Sequence, residues 1–313
     1  MDKILYFFAV TILPLSLGGL STKLGLLQEK RSKLLFLFGI LFLETPIILL
    51  ILWKLKVKDN YVLLPVLAFC LVCLAGILGF LFSKRLFTDI RQRGTMTFSS
   101  ALSNQGFLMG GFICYLLYGD AGYSLSVIYI LYFHFTIFFV CFPLARYFSV
   151  SQKQSVIKMI VSNLWDIRSL PILAILFGVT LNYLQIHYFK AFDLFLKNLI
   201  PFATFFFMFA IGMQLKFSFS YFTVKEVHIL AIIKFILTPT LAYFLVKVLA
   251  IQGLPAKVIF IESFTPAAAY SIMITSLFNL DSDLASKLFV SSTLIFLFTI
   301  FPSILVLLQI LPF

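Results

Sequence analysis

The sequence predicts an all-α, polytopic membrane protein with ten transmembrane helices arranged in two inverted five-helix repeats. Three observations predict this fold. First, 62% of the 313 residues are hydrophobic and only 12% are charged, whereas soluble domains are about a quarter charged. Second, apolar runs long enough to cross a hydrocarbon core of about 30 Å recur along the whole chain. Third, the fourth and ninth runs are both interrupted by helix-breaking residues, as corresponding spans of a repeat would be.

Ten apolar runs define the predicted spans in order. The first is interpreted as a span rather than a removable signal, because Met1-Asp2-Lys3 carries little positive charge and no small-residue cleavage site follows the run. The runs average about 20 residues, the length of a helix that crosses a bilayer. They are Ile4–Leu20, Leu34–Trp53, Tyr61–Phe82, Met96–Leu117, Tyr123–Leu144, Ser169–His187, Asn198–Leu215, His228–Ala250, Lys257–Phe278 and Leu288–Ile310.

The basic residues orient these spans. Connections on one side hold 15 Lys and Arg, including all six arginines, and connections on the other side hold seven lysines. The positive-inside rule therefore places both termini outside the cytoplasm, in a multi-pass protein of the cytoplasmic (inner or plasma) membrane. The same rule accounts for the net charge of +12, so the lipid bilayer is an expected partner and nucleic acid is not.

The predicted domains follow the spans. Residues 1–144 form the first five-helix repeat, and residues 169–313 form the second. An odd number of spans in each half inverts the second repeat in the membrane. Residues 145–168 form a cytoplasmic linker. Its segment "SVIKMIVSNLWDI" places apolar residues on one helical face, so we expect it to lie along the membrane surface.

Two interrupted spans, "SNQGFLMGGFICYLLYGD" and "ESFTPAAAYSIMITSLFNLD", are each followed by a span that ends in Phe-Pro. Helix breaks are predicted at Gly106, Gly110 and Gly111 in the fourth span and at Pro266 in the ninth. Either break alone is equally consistent with a simple kink, but breaks at corresponding positions of two halves indicate a substrate site. The N-terminus of a half-helix has free N–H groups and a partial positive charge that suit an anion.

Polar residues beside the breaks are the candidate substrate ligands. The substrate-binding candidates are Asn104, Gln105, Gly106, Thr265, Pro266 and Ser271. A buried amide such as that of Asn104 must find hydrogen-bond partners. The hydroxyls have an alternative role, because Ser and Thr often bond to a carbonyl of their own helix.

Ionisable residues inside the spans are candidates for ion coupling. They are Glu44, His134, Lys234 and Glu262. Glu44 lies deepest and is the best candidate for a proton-linked carboxylate. Each of the others has an alternative role. Lys234 could extend its amine to the interface, Glu262 could be solvated near the outer end of its span, and His134 could pack among its aromatic neighbours.

The sequence predicts no metal site and no cofactor. All four cysteines lie inside apolar runs, and Cys70-x-x-Cys73 has no second pair or nearby histidine to complete a zinc site. We expect these side chains to act as small apolar filler. No nucleotide-binding motif occurs, so the energy for any transport would come from a proton or sodium gradient or from a partner.

Six segments in order resemble the auxin efflux carrier family, which includes plant auxin exporters and bacterial permeases for small organic acids. The segments are "LGGLSTKLGLLQEKRSKLL", "LETPIILL", "SNQGFLMGG", "LPILAILFGVTLNYLQI", "IKFILTPTLAYFL" and "TPAAAYSIMITSLFNLDSDLASKLFVSSTLIFL". The resemblance covers nearly the whole chain and depends on the order and spacing of the segments. It implies ten helices in two inverted repeats, with helices four and nine crossing near the membrane midplane beside the substrate.

The resemblance also implies roles for single residues. The family's helix-four asparagine falls on Asn104, its crossover proline on Pro266, and the basic residue ahead of a proline in helix eight on Lys234. The chain departs from the family where helix four usually has a proline, because Gly111 stands near that position. Two carboxylates are also not part of the family pattern, Glu44 and Glu262.

The predicted function is secondary transport of a small organic anion across the cytoplasmic membrane by a permease. We expect efflux by alternating access, with the substrate at the crossing of helices four and nine, and a homodimer is one candidate assembly. One alternative is a sodium-coupled organic-anion symporter resembling the bile acid:sodium symporters. A second alternative, a membrane-embedded lipid-modifying enzyme, has only Asp281-x-Asp283 as an acidic pair, and that pair is better explained by helix capping. The chain is therefore not expected to be an enzyme.

Overall fold

The computed structural model describes residues 2–28, 31–55, 61, 63–106, 109–149, 167, 170–214 and 224–311. Within these ranges the regular structure is helical, which confirms the all-α prediction. The β-type pairing among them is one isolated antiparallel bridge between Ser103 and Ala267. Most of the predicted surface segment "SVIKMIVSNLWDI" lies outside the described residues.

The helices of the first half cover the first five predicted spans. They are α1 (Asp2–Lys23), α2 (Arg31–Phe38), α3 (Thr45–Lys54), α4 (Leu63–Leu86), α5 (Ile90–Ala101), α6 (Met109–Tyr129), α7 (Tyr132–Thr136) and α8 (Phe142–Phe148). Inside α6, Gly119 has φ +64° and ψ −152°. Only glycine adopts this conformation easily, so α6 turns sharply where the sequence predicts the connection between the fourth and fifth spans.

The helices of the second half cover the remaining predicted spans. They are α9 (Leu170–Tyr183), α10 (Ala191–Gly212), α11 (Lys225–Ile232), α12 (Thr238–Val248), α13 (Leu254–Ser263), α14 (Ala269–Leu277), α15 (Ser282–Ile295) and α16 (Phe301–Ile310). Five continuous helical stretches in the described residues are long and apolar enough to cross a membrane. These are Leu34–Lys54, Leu63–Leu86, Ala191–Gly212, Lys225–Val248 and Ser282–Ile310. The full set of ten spans and the inverted repeat stay predictions.

Short π-helical turns precede four of the prolines. They are Gly39–Glu44, Ile137–Cys141, Ile233–Leu237 and Phe296–Ile300. Each turn is followed by one residue and then by a proline. Proline has no N–H and crowds the preceding turn. The turn widens, and the residue before the proline donates its N–H to the carbonyl five residues back, as Thr238 does to Ile233. Glu44 and Lys234 both lie in such turns, which are frequent at functional sites.

The chain forms two compact units. One consists of residues 1–61, 106–131 and 161–215, and the other of residues 62–105, 132–160 and 216–313. Each unit combines segments from both halves of the sequence. The predicted domain division, which follows the sequence repeat, is a different partition and stays a prediction.

In the first unit, α1 and α10 approach to backbone contact. A Cβ atom added at Gly18 would lie 2.1 Å from the carbonyl oxygen of Phe209, and one added at Gly212 would lie 2.1 Å from that of Leu15. Only glycine permits this approach, as at many helix contacts in membranes.

The first unit also contains an ion-paired cluster at the end of α3. The amine of Lys54 lies 2.9 Å from Asp120 and 2.8 Å from Asp193. Asp120 and Asp193 line a cavity of about 650 Å³ together with Lys190 and Lys197. Because these groups are partly exposed, such pairs contribute little stability, on the order of 0–1 kcal/mol each.

In the second unit, α5 lies between α4 and α15. The residue before α15, Asp281, accepts a hydrogen bond from Gln92 at 3.1 Å and caps the N–H of Leu284 at 2.9 Å. Thr95 exchanges two further hydrogen bonds with the backbone of Asp281, both at 3.2 Å. This cluster fixes one end of α5 against α15, and α5 then runs to the first helix break.

Candidate functional site

The first break lies between α5 and α6. The helix ends at Ala101, Leu102 is extended, and Gly106 has φ +66°, a left-handed conformation that favours glycine. A Cβ atom at Gly111 would lie only 1.7 Å from the carbonyl oxygen of Gly106. Gly110 and Gly111 lie in the first turn of α6, so the interruption comes about one turn earlier than these two glycines. Residues 107 and 108 lie outside the described residues.

The second break lies between α13 and α14. The first of these helices ends at Ser263, and the next begins at Ala269 after an extended Ala268. Pro266 stands in the gap and donates no hydrogen bond. The hydroxyl of Thr265 donates to the carbonyl of Glu262 at 2.8 Å, which satisfies one of the carbonyls freed at the end of α13.

The two breaks lie side by side and pair through their backbones. The N–H of Asn104 donates to the carbonyl of Pro266 at 2.8 Å, and the N–H of Ala268 donates to the carbonyl of Leu102 at 3.0 Å. The N–H of Ala267 donates to the hydroxyl of Ser292 on α15 at 3.2 Å. Unwound backbone in a membrane needs such internal partners, so each broken segment stabilises the other.

The side chain of Asn104 is buried but unpartnered. It is 2% exposed, and neither its Oδ1 nor its Nδ2 atom has a hydrogen-bond partner within the described residues. Leaving such a group unsatisfied costs about 1–3 kcal/mol. Because the adjoining backbone N–H donates to the carbonyl of Pro266, the amide is held beside the paired breaks.

The other predicted ligands are already engaged. The Oε1 atom of Gln105 accepts from the hydroxyl of Tyr132 at 2.7 Å, and its Nε2 atom donates to the carbonyl of Glu262 at 3.2 Å. Ser271 donates to the carbonyl of Ala268 at 2.7 Å, as the alternative role of the hydroxyls predicts. Sequence reasoning did not find Tyr132, because nothing distinguishes it from the other aromatic residues of its span.

We compared the chain that carries these paired breaks with known proteins. A family model described as membrane transport protein matches residues 15–302. The chain belongs to this family, the auxin efflux carrier type of membrane transport protein. It is also 25% identical over 300 residues to an uncharacterized transporter of Methanocaldococcus jannaschii, and the match covers 94% of each chain. The resemblance seen in the sequence is confirmed, and the protein is a multi-pass membrane transporter.

Lys234 of this family member lies against the end of α5. Its side chain is 1% exposed, and Nζ donates to the carbonyl of Leu102 at 3.0 Å and to the hydroxyl of Ser103 at 2.5 Å. The alternative in which its amine extends to the interface is therefore wrong. The two hydrogen bonds join segments more than 130 residues apart, which the sequence pattern could not indicate.

The remaining ionisable candidates of the transporter differ in their surroundings. Glu262 is 0% exposed in the last turn of α13, so the alternative in which it is solvated is wrong. Glu44 is 8% exposed, and among the described residues its carboxylate has no ion pair within 4 Å. His134 belongs to α7, but its side chain lies outside the described part of the structure.

Proposed function

We propose that this transporter moves a small organic anion across the cytoplasmic membrane by alternating access, with the anion bound where the two broken helices pair. The observation that carries the proposal is the amide of Asn104, which is 2% exposed and unpartnered beside the paired backbones. The Nδ2 group would donate to a carboxylate oxygen of the substrate. The stability that the protein loses by leaving this amide unsatisfied would be recovered when the substrate binds.

The neighbouring half-helix adds to the attraction for an anion. α14 begins at Ala269 without a side-chain cap, and in its first turn the N–H of Ser271 donates to the carbonyl of Ala268 at 3.0 Å. The partial positive charge at a helix N-terminus favours an anion. Nearby, the rings of Phe133 and Tyr270 meet edge to face with centroids 4.9 Å apart, which provides apolar surface for the carbon part of an organic acid.

The proposal also covers the energy source for transport and the direction in which the anion moves. We infer ten spans in two inverted repeats with both termini outside, and export of the anion coupled to an ion gradient. Glu44 is the proposed proton-linked carboxylate, because it is buried in a π-helical turn and lacks a cationic partner among the described residues. The family membership and the paired breaks support transport rather than catalysis.

Reconstituted transport tests the proposal. Proteoliposomes would be assayed for uptake of a panel of small mono- and dicarboxylates, with proton and sodium gradients imposed in turn. We expect saturable transport of at least one acid. Asn104→Ala should raise KM at least tenfold, since a hydrogen bond to a charged group contributes about 1.5–3 kcal/mol. Asn198→Ala, which changes an exposed asparagine on α10, is the matched control and should transport normally.

Two further variants separate the parts of the site. Pro266→Ala should lower transport because it allows α13 to continue through the break. Glu44→Gln should keep substrate exchange and lose acceleration by an imposed proton gradient, whereas Glu226→Gln at the start of α11 should keep both. Unchanged transport in Asn104→Ala, Pro266→Ala and Glu44→Gln together would show that the substrate and the coupling ion bind elsewhere.

A further inference from the structure

The amine of Lys234 occupies a site built from oxygen atoms at the end of α5. The oxygens belong to the carbonyl of Leu102 and the hydroxyl of Ser103, at 3.0 and 2.5 Å from Nζ. Two of the three N–H groups of the ammonium are used in these bonds. The side chain is 1% exposed, so bulk water does not replace them.

The chemistry of this site is that of a cation site. Backbone carbonyl and hydroxyl oxygens are hard ligands, and the C-terminus of α5 adds the partial negative charge of a helix end. In transporters with broken helices, half-helix ends and unwound carbonyls of this kind coordinate sodium ions. Within the described residues no carboxylate lies within 4 Å of Lys234, so these dipoles are its electrostatic partners.

We propose that the ammonium of Lys234 is a built-in monovalent cation that takes the place of a coupling metal ion at the crossing. Removing the side chain beyond Cβ would then leave a cavity lined by oxygen atoms, which a small free cation can enter. The consequence for transport, independence from sodium at this site, rests on the proposed function. The occupancy of the site by a cation does not, and it can be measured without any substrate.

The position of the ammonium links it to the binding site. Lys234 holds Leu102 and Ser103, the two residues that precede Asn104, and the carbonyl of Leu102 also accepts the N–H of Ala268. A cation here therefore fixes one of the two backbone pairings between the broken segments. It also places this cation beside the proposed anion site, where a mobile cation would otherwise have to bind first.

Chemical rescue by free cations tests the proposal. Lys234→Ala would be purified in detergent, and its melting temperature would be measured in ammonium chloride, sodium chloride and choline chloride at equal ionic strength. We expect the variant to melt below the wild type in choline. Ammonium, and to a lesser extent sodium, should raise its melting temperature saturably by about 2–4 °C, as a ligand of the native state does.

Three controls make the result specific. Lys234→Met fills the space without a charge, so ammonium should not stabilise it beyond choline. Lys247→Ala removes an exposed lysine of α12 and should behave as the wild type does. The wild type itself should melt at the same temperature in all three salts, because its site is already filled.

Two outcomes would overturn the inference. One is an equal melting temperature of Lys234→Ala in ammonium and choline, and the other is a saturable stabilisation of the wild type by sodium, which decides the matter even if Lys234→Ala does not fold. Failure of the proposed function would look different. The salt-specific stabilisation of Lys234→Ala would persist while no organic acid was transported by wild-type proteoliposomes.

Discussion

The amide of Asn104 lowers the stability of the substrate-free protein, and the same amide is proposed to bind the substrate. Its two polar atoms are buried without partners, at a cost of about 1–3 kcal/mol. Exchange for alanine removes both atoms, so we expect Asn104→Ala to keep or raise the melting temperature of the substrate-free protein while weakening anion binding. Thermal unfolding in detergent, with and without a transported acid, measures both effects. The acid should stabilise the wild type and leave the variant unaffected.

A marked fall in the melting temperature of substrate-free Asn104→Ala would instead indicate a structural role for the amide. Ser271→Ala provides the contrast, because this hydroxyl is buried and bonded to the carbonyl of Ala268. Its removal leaves the carbonyl without that donor and should lower the melting temperature without changing the stabilisation by the acid.

Single residues also show how far sequence reasoning reaches. The sequence indicated Asn104 and Lys234, because a buried amide and a charge inside an apolar run both need an explanation. It could not give the partners of Lys234 or of Gln105, the neighbour of Asn104. The contacts from Gln105 to Tyr132 and from Lys234 to Leu102 join residues from separate spans, and their geometry depends on how those helices pack rather than on any local pattern.

At the scale of helices, prolines and glycines in the sequence indicated where a helix is interrupted. They did not indicate whether the interruption is a gap or a π-helical turn. Pro266 lies in a true gap, while Pro239 lies just beyond a π-helical turn that keeps the helix continuous. The difference depends on what satisfies the freed carbonyls. The hydroxyl of Thr238 donates a hydrogen bond to the carbonyl of Ile233 in the same helix, at 2.7 Å. The carbonyl of Pro266 instead accepts a hydrogen bond from the N–H of Asn104, which lies in another segment.

The contact between α1 and α10 gives a test at this scale. Gly18 and Gly19 are neighbours in α1, but a Cβ atom would lie 2.1 Å from a backbone oxygen of α10 at Gly18 and an ordinary 3.4 Å away at Gly19. Gly18→Ala should therefore destabilise the protein by about 1–3 kcal/mol or more, since backbone must move. Gly19→Ala should be neutral or stabilising by up to about 1 kcal/mol, because alanine favours helix. Thermal unfolding of the two variants in one detergent compares them.

Equal melting temperatures for the two variants would mean that α1 and α10 do not approach this closely. A Gly18→Ala protein that melts lower but still transports would show that the contact supports the fold alone. The same approach is available at Gly212, where the nearest oxygen belongs to Leu15, so Gly212→Ala should reproduce the loss from the opposite helix.

At the scale of the whole molecule, the distribution of charge predicts the orientation in the membrane, whereas the packing of the helices defines the compact units. The basic residues predict orientation, because 15 of them fall in connections on one side. The compact units combine segments from both halves, a division that no linear pattern of hydrophobicity contains. Hydropathy predicted where helices lie, since each span must be apolar, but the partners of each helix depend on side-chain shape along its faces.

The orientation is the last prediction, and two glutamines allow it to be tested directly. Gln28 and Gln252 are exposed and lie in connections that the positive-inside rule assigns to opposite sides. In a background with the four cysteines replaced by alanine, a membrane-impermeant maleimide added to intact cells should label Gln252→Cys and leave Gln28→Cys unlabelled. Both should react after the cells are permeabilised, which shows that each thiol is accessible. Labelling of Gln28→Cys alone in intact cells would show that the orientation is the reverse of the predicted one, with the connection that contains Gln28 outside the cytoplasm.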